Sequence, residues 1–508
     1  MRRLPHRQRC ASTHDVRQDT PTTCVELSSS LRDEEGPVSL TELSLSWVCR
    51  HVKGLCVSRE DGSLKFLHCP PSIAIFCVFL FSGVLNDQTV GIFQDVELLR
   101  LRRAFVQYSQ ISVDSFKLAL CPHKLQELNV SHIHNNISIS DILNSITSST
   151  VCRQALRTLL IDGLRFYGET VSFSTLRGLK KLSLAWTDLD DKNLEEICSM
   201  PSLESLDISG TNITDLSPLM NIQSQLKFLT AHGLQKLSMP TSAIISVLSK
   251  LHLLMHLDIS NDKLVTEGDH LAEKLLEHPG VFQNLVSLDV SGWGGVNDAA
   301  VRVFVEERRG MRFIGLLGTG AGGVELQSGD GMLKVAGESN LPQLCEALRR
   351  YRERETFIRE VLAHLYTQTI EMEEPQPIIL KLVLSVMRLY PDSLQVQLLT
   401  SACVFNLTQH ELVLGMTSLL LGAAVKQLLG AMKSFPNHQQ LLMNCLLTLC
   451  SDHILQVIPF DRYEAAKLIM MLPGNQEDQM LQRMVVAVLS NLVSQVINQS
   501  GQHHSMIK

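Results

Sequence analysis

The chain has 508 residues, 45% apolar and 19% charged, a balance that excludes disordered and collagen-like classes and allows for more than one core. A net charge of −7 offers no concentrated cationic face, which argues against a nucleic-acid backbone as partner. Its 13 cysteines are scattered, with no Cys-x-x-Cys pair; this favours reduced thiols in the cytosol or nucleus over disulfides or a zinc site.

In chain order, residues 1–36 are polar and of mixed charge and lack the apolar core of a secretory signal, so they are expected to be disordered. Ser39-Leu40-Thr41-Glu42 then has the form of a capping box and predicts a helix start. Leu40, Ser44 and Val48 fall at i, i+4 and i+8 on one face of that helix, with Leu43 and Trp47 beside them. On pattern alone this is an amphipathic cap for whatever follows. The longest apolar run, Ile73 to Leu85, has 13 residues, short of the ~20 a membrane-spanning helix needs. The basic runs Arg100, Arg102, Arg103 and Arg349, Arg350, Arg352, Arg354 read as solvated helix faces.

From residue 111 to 320 the template Leu-x-x-Leu-x-(Leu/Ile/Val) recurs as Leu125/Leu128/Val130, Leu156/Leu159/Ile161, Leu179/Leu182/Leu184, Leu203/Leu206/Ile208, Leu254/Leu257/Ile259 and Leu285/Leu288/Val290. Leu226/Leu229/Ala231 and Met311/Ile314/Leu316 are weaker copies, and the starts lie 23 to 31 residues apart. Each unit supplies one short strand that cannot bury its apolar face alone, so the units must stack as leucine-rich repeats. Asp207-Ile208-Ser209-Gly210, Asp258-Ile259-Ser260-Asn261 and Asp289-Val290-Ser291-Gly292 would turn the chain out of the parallel sheet.

Gly318-Thr-Gly320-Ala-Gly322-Gly323 spells G-x-G-x-x-G, but the continuation is not helical and presents no helix N-terminus to a pyrophosphate. A Gly-rich joint over 321–334 is the expectation. From 335 to 497 apolar residues recur at helical spacing. Gln397-Leu-Leu-Thr-Ser-Ala402, Gln440-Leu-Leu-Met-Asn-Cys445 and Gln482-Arg-Met-Val-Val-Ala487 follow one another at intervals of 43 and 42 residues, the period of armadillo arrays. Residues 498–508 read as a polar tail, leaving the array incomplete. The fold class is thus a repeat protein: a leucine-rich-repeat α/β solenoid, then an all-α armadillo-like solenoid. No Gly-x-Ser-x-Gly, phosphate-loop Gly-Lys-Thr/Ser or His-Glu-x-x-His occurs, and no enzyme activity, metal or cofactor is expected.

Ser39-Leu40 through Val48 resembles the box by which substrate receptors of cullin ubiquitin ligases dock onto elongin C. Cys69-Pro70-Pro71-Ser72-Ile73 is similar to a cullin-selecting box. With Gly83 to Phe93, Ser401 to Thr408 and Phe435 to Leu441, the chain resembles the Zyg-eleven homologue family over roughly Pro37 to Leu492. The resemblance implies a substrate receptor of a cullin-two ligase, partnered by elongin B, elongin C and cullin two with its RING subunit. It further implies recognition of proteins with an exposed N-terminal glycine. Leu40, Ser44 and Val48 would contact elongin C, Pro70 and Ile73 would help choose the cullin, and 37–110 would be a helical docking segment. Ile75 to Phe81 is apolar where the family has a more amphipathic helix, and no tryptophan after Trp293 matches the family's glycine pocket. The expectation is a shortened form that keeps the docking part and lacks that pocket. The alternative is a scaffold without ligase association, with no nucleic-acid or membrane partner in either case.

Overall fold

Leucines at every second strand position put one apolar row on one face of a sheet and polar residues on the other. The computed structural model describes residues 56–58, 64–66, 78–79, 85–94, 96, 100–472 and 479–505, apart from gaps at 135, 169–170, 263–269, 279, 281, 324–325 and 327–332. An antiparallel pair, β1 (Cys56–Ser58) and β2 (Leu64–Phe66), precedes one parallel sheet of 11 strands laid down in chain order. These are β3 (Val78–Phe79), β4 (Arg103–Phe105), β5 (Glu127–Asn129), β6 (Thr158–Leu160), β7 (Lys181–Ser183), β8 (Ser205–Asp207), β9 (Phe228–Thr230), β10 (His256–Asp258), β11 (Ser287–Asp289), β12 (Phe313–Gly315) and β13 (Lys334–Ala336).

The register is one unbroken row. Leu128, Leu159, Leu182, Leu206, Leu229, Leu257, Leu288 and Ile314 pair in succession, all fully buried. Each contributes about 1.5–3 kcal/mol by leaving water, and only the neighbouring repeat makes that burial possible. The weak copies at Leu226 and Met311 form strands as regular as the strong ones, because Leu229 and Ile314 still fill the central position. Return segments include the helix Ile139–Ser148, opened by a capping box in which Ser138 Oγ accepts from the Asp141 amide and Asp141 Oδ2 accepts from the Ser138 amide.

The sheet extends beyond 111–320 on both sides. At its start Ala104, small but buried, pairs with Leu128, so β4 carries no leucine signature. Within 37–110, the described residues include short strands, the helix Asp87–Val90 and a 3-10 turn at Gly91–Phe93; most of the segment expected to be helical, including 37–55, lies outside the described residues. Val78–Phe79, inside the run that family likeness suggested was helical, is an edge strand paired with Ala104–Phe105. A short apolar run cannot be assigned to helix or strand by periodicity alone.

After β13 the chain is helical: α1 (Leu341–Arg350), α2 (Glu355–Thr369), α3 (Pro377–Leu389), α4 (Leu394–Thr408), α5 (Ser418–Ser434), α6 (Gln439–Leu449), α7 (Asp452–Val457), α8 (Arg462–Met470) and α9 (Gln479–Ser505). The recurring Gln397, Gln440 and Gln482 segments lie on α4, α6 and α9, which pack in that order behind α2. Asn406 donates to Thr369 Oγ1 at 3.1 Å and Asn444 to Ser401 Oγ at 3.2 Å, so α4 and α6 each satisfy a buried amide on the preceding inner helix. Residues 498–505, expected as part of a polar tail, continue α9. The second core begins within the sheet, with Phe313, Leu317 and Ala336 packed among the side chains of α1 and α2. No described helix is long and apolar enough to cross a membrane.

Candidate functional site

Opposite the leucine row, the last residue of each strand points to the open face. Asn129, Leu160, Ser183, Asp207, Thr230, Asp258, Asp289 and Gly315 run in register across it. Two residues further on stand Ser131, Asp162, Ala185, Ser209, His232, Ser260, Ser291 and Leu317. A row of carboxylates and hydroxyls on a parallel sheet needs partners, and those supplied by the helical array reach only part of the row.

Over β10 to β12 the partners come from the start of the helical array. Arg354 donates from Nη2 to Asp258 Oδ2 at 2.6 Å and from Nη1 to Ser260 Oγ at 2.9 Å. Tyr351 donates its hydroxyl to Asp289 Oδ1 and Oδ2 at 3.1 and 3.0 Å, and lies 2.7 Å from Ser291 Oγ. Arg350 reaches Asp289 at 4.0 Å and stacks on the Phe313 ring, 4.8 Å from its centroid. Burial opposes the charge on Asp258, but Arg354, His232 and Arg350 hold its carboxyl well below the usual range. Asp289 moves up instead, through burial and the charge of Asp258. Burial, with Asp289 alongside, raises Tyr351 well above an ordinary phenol, so it stays a donor. The Gly315 Cα makes room for this contact: an added Cβ would lie 2.2 Å from Asp289 Oδ1 and 2.5 Å from the Tyr351 hydroxyl. Of the arginines expected on a solvated helix face, Arg354 and Arg350 turn inward while Arg349 and Arg352 remain in water.

An aromatic row continues the joint. Tyr351 meets Phe357 at 4.8 Å, Phe357 meets His232 at 5.7 Å, and His232 meets Trp186 at 6.0 Å between ring centroids. Trp186 takes φ +59, and its indole lies over Gly210, where a Cβ would come 2.2 Å from Cε3. Only a glycine fits beneath it.

Over β6 to β8 the open face keeps its acids uncovered. Asp162 accepts from Ser183 Oγ at 2.5 Å, Ser131 Oγ at 3.1 Å and the Ala185 amide at 2.9 Å, and burial raises its carboxyl. Asp207 accepts from the Ser209 hydroxyl at 2.6 Å and amide at 3.0 Å. Burial and the charge of Asp162 push its carboxyl up to about 6. Among the described residues no cation forms an ion pair with Asp207. Trp186 beside this stretch is 50% exposed. The arrangement suits recognition of a cationic group.

Of the residues proposed from sequence, Leu40, Ser44 and Val48, and Pro70 and Ile73, lie outside the described residues. The glycine-rich Gly318 to Gly323 turn is ordered by the protein's own carboxylates. The Gly318 amide donates to Glu338 Oε2 and the Gly322 amide to Asp298 Oδ1, both at 2.6 Å, so the amides a phosphate would need are taken. The seats at Asp258 and Asp289 were visible in sequence only as turn formers; their repetition of Asp-x-Ser was the available signal.

Residues 385–507 match the family model described as Protein zer-1 homolog-like, C-terminal domain. A human Protein zer-1 homolog is 26% identical over 58% of this chain and 41% of its own length. The Drosophila melanogaster Protein zer-1 homolog is 23% identical over 91% and 63%, and the Caenorhabditis elegans Zyg eleven-related protein 1 is 23% identical over 75% and 38%. The chain therefore spans between 38% and 63% of the length of these relatives. Among solved structures, an internalin from Listeria monocytogenes aligns over 52% of this chain and 86% of its own at 17% identity and TM-score 0.28, too low to carry an argument. The family match at the C-terminal end, together with relatives aligned along most of the repeat region, makes this chain similar to the zer-1 homologues and the Zyg eleven-related protein.

Proposed function

We propose that this chain is a non-catalytic substrate receptor of a cullin-two ubiquitin ligase, docked through elongin B and C. The observation that carries the reading is the joint at Arg354–Asp258 and Tyr351–Asp289, which fixes one repeat array on the other and leaves an extended polar face open. A receptor must hold substrate at a set position relative to its docking helix, and a rigid two-array body does so. The likeness to the zer-1 homologues supports the same role. In this reading Leu40, Ser44 and Val48 contact elongin C, and Pro70 and Ile73 select cullin two. The chain works in the cytosol or nucleus, where the buried thiols of Cys121, Cys152, Cys198, Cys403 and Cys445 stay reduced. The helical array belongs to the armadillo type.

The test is a pull-down of the full chain beside a Leu40→Ala/Val48→Ala variant, probed for elongin C and cullin two. Capture of both by the unmutated chain and neither by the variant supports the receptor. Elongin without cullin would remove Pro70 and Ile73 from the cullin contact. Capture of neither leaves the scaffold reading. Glycine recognition is tested separately with a labelled peptide beginning with glycine; with no tryptophan after Trp293, binding no tighter than to a methionine-starting control is expected.

A further inference from the structure

Asp207-Ile208-Ser209 and Asp258-Ile259-Ser260 are the same tripeptide at the same place in two repeats. Their internal geometry is also the same. In each, carboxylate Oδ1 accepts from the serine amide at 3.0 Å and from its hydroxyl, at 2.6 Å for Ser209 and 2.5 Å for Ser260. That leaves Oδ2 unused by the turn, while each serine oxygen also meets His232: Ser209 Oγ accepts from its amide at 3.2 Å and Ser260 Oγ lies 2.9 Å from its Nδ1. At Asp258, Oδ2 and the serine oxygen receive the two Nη groups of Arg354, an arrangement that requires a planar fork and that a lysine ammonium would not reproduce. At Asp207, Oδ2 has no hydrogen-bond or ion-pair partner among the described residues, although only Thr230 on β9 stands between the two aspartates in the register.

We infer that the Asp207–Ser209 seat takes an arginine side chain presented by another protein, as its twin takes Arg354. Charge complementarity and the filled twin identify the occupant. The half-exposed indole of Trp186, lying over Gly210 immediately after Ser209, adds an aromatic surface of the kind on which guanidinium groups stack. At the twin the corresponding aromatic company is Tyr351 and Phe357, 5.6 and 5.9 Å from the Arg354 guanidinium carbon. The inference goes beyond the ligase reading and stands apart from it, since neither elongin nor cullin enters the measurement below.

The full chain is titrated with a labelled, end-capped tetra-arginine peptide and with a tetra-citrulline peptide of equal length, followed by fluorescence anisotropy. Tetra-arginine is expected to bind, tetra-citrulline at least tenfold more weakly, and Asp207→Asn is expected to weaken tetra-arginine at least tenfold. Ser209→Ala, which removes one acceptor and keeps the carboxylate, is expected to weaken it severalfold and carries the test if Asp207→Asn does not fold. No binding to the unmutated chain overturns the inference. So does citrulline binding as tightly as arginine, or affinity within twofold of the unmutated chain in the folded variants, which would mark diffuse attraction to an acidic protein.

Discussion

Arg354 and Asp258 meet at 2.6 Å although 96 positions separate them, and their contact is a charged tie between sheet and helices. Asp258 is fully buried while Arg354 keeps partial access to solvent, so losing the arginine strands a carboxylate in the interior. Arg354→Ala should lower stability by about 3–5 kcal/mol. Arg354→Ala/Asp258→Asn should lose less than the two single losses added together. Urea denaturation of the four proteins in the cycle measures the coupling; simple additivity would mean that the pair does not act as a unit.

Gly315→Ala tests the other half of the joint. With Asp289 Oδ1 and the Tyr351 hydroxyl in the space a methyl would occupy, the Tyr351–Asp289 bond must break or the strand must shift. A loss of about 1–3 kcal/mol is expected, with faster amide hydrogen exchange at the start of α2. A neutral result would show that this contact yields easily.

Asp207 gives a pH signature. Its carboxyl is raised in the fold from an ordinary 3.8 to about 6, so the unfavourable charged form appears in the folded protein as pH rises through that window. Asp207→Asn should therefore leave the melting temperature unchanged near pH 3.5 and raise it above pH 6.5, by the equivalent of about 1–3 kcal/mol. Asp258 behaves oppositely. Held well below the usual range, its ion pair contributes stability above the ordinary carboxylate pKa and loses it only in strong acid. Thermal melts of Asp207→Asn and the unmutated chain across pH 3.5 to 8 decide the first point.

Cys198 and Cys403 are buried, and burial pushes both thiols up to about 12. Burial pushes Cys445 up as well. Brief iodoacetamide treatment of the native chain followed by mass spectrometry should leave all three unmodified and label them after denaturation. Native labelling at Cys403 would mean that α4 opens on the timescale of the reaction.

The leucine row was legible because one physical demand, burial of every second strand residue, repeats at each unit. The same logic hid β4, where Ala104 sits in a leucine's place, and β3, whose apolar run is too short to show a period. In the helical part, the Gln397, Gln440 and Gln482 spacing located three packed helices. Gln397 also has a job of its own, donating to the Met387 and Tyr390 carbonyls at the end of α3. The joint was illegible for a different reason: nothing local to Arg354 says that its partner lies on β10, and an arginine-rich stretch ordinarily faces water. The repeated Asp-x-Ser reads in the sequence as a turn signal, and only the position of Arg354 shows what such a pair can hold.

Phe313 and Ala336 belong to the sheet by their backbone but to the helices by their packing, with α1 laid against β13 as a stopper in the open end of the solenoid. A conventional cut through the glycine-rich stretch would unseal both pieces at once. The leucine-rich piece would show a raw strand edge and the bared Asp258 and Asp289; the helical piece would show the apolar flank of α1 with Tyr351 and Phe357. Neither should survive alone as a well-behaved fragment, so what looks like a linker between two modules is where they cease to be two.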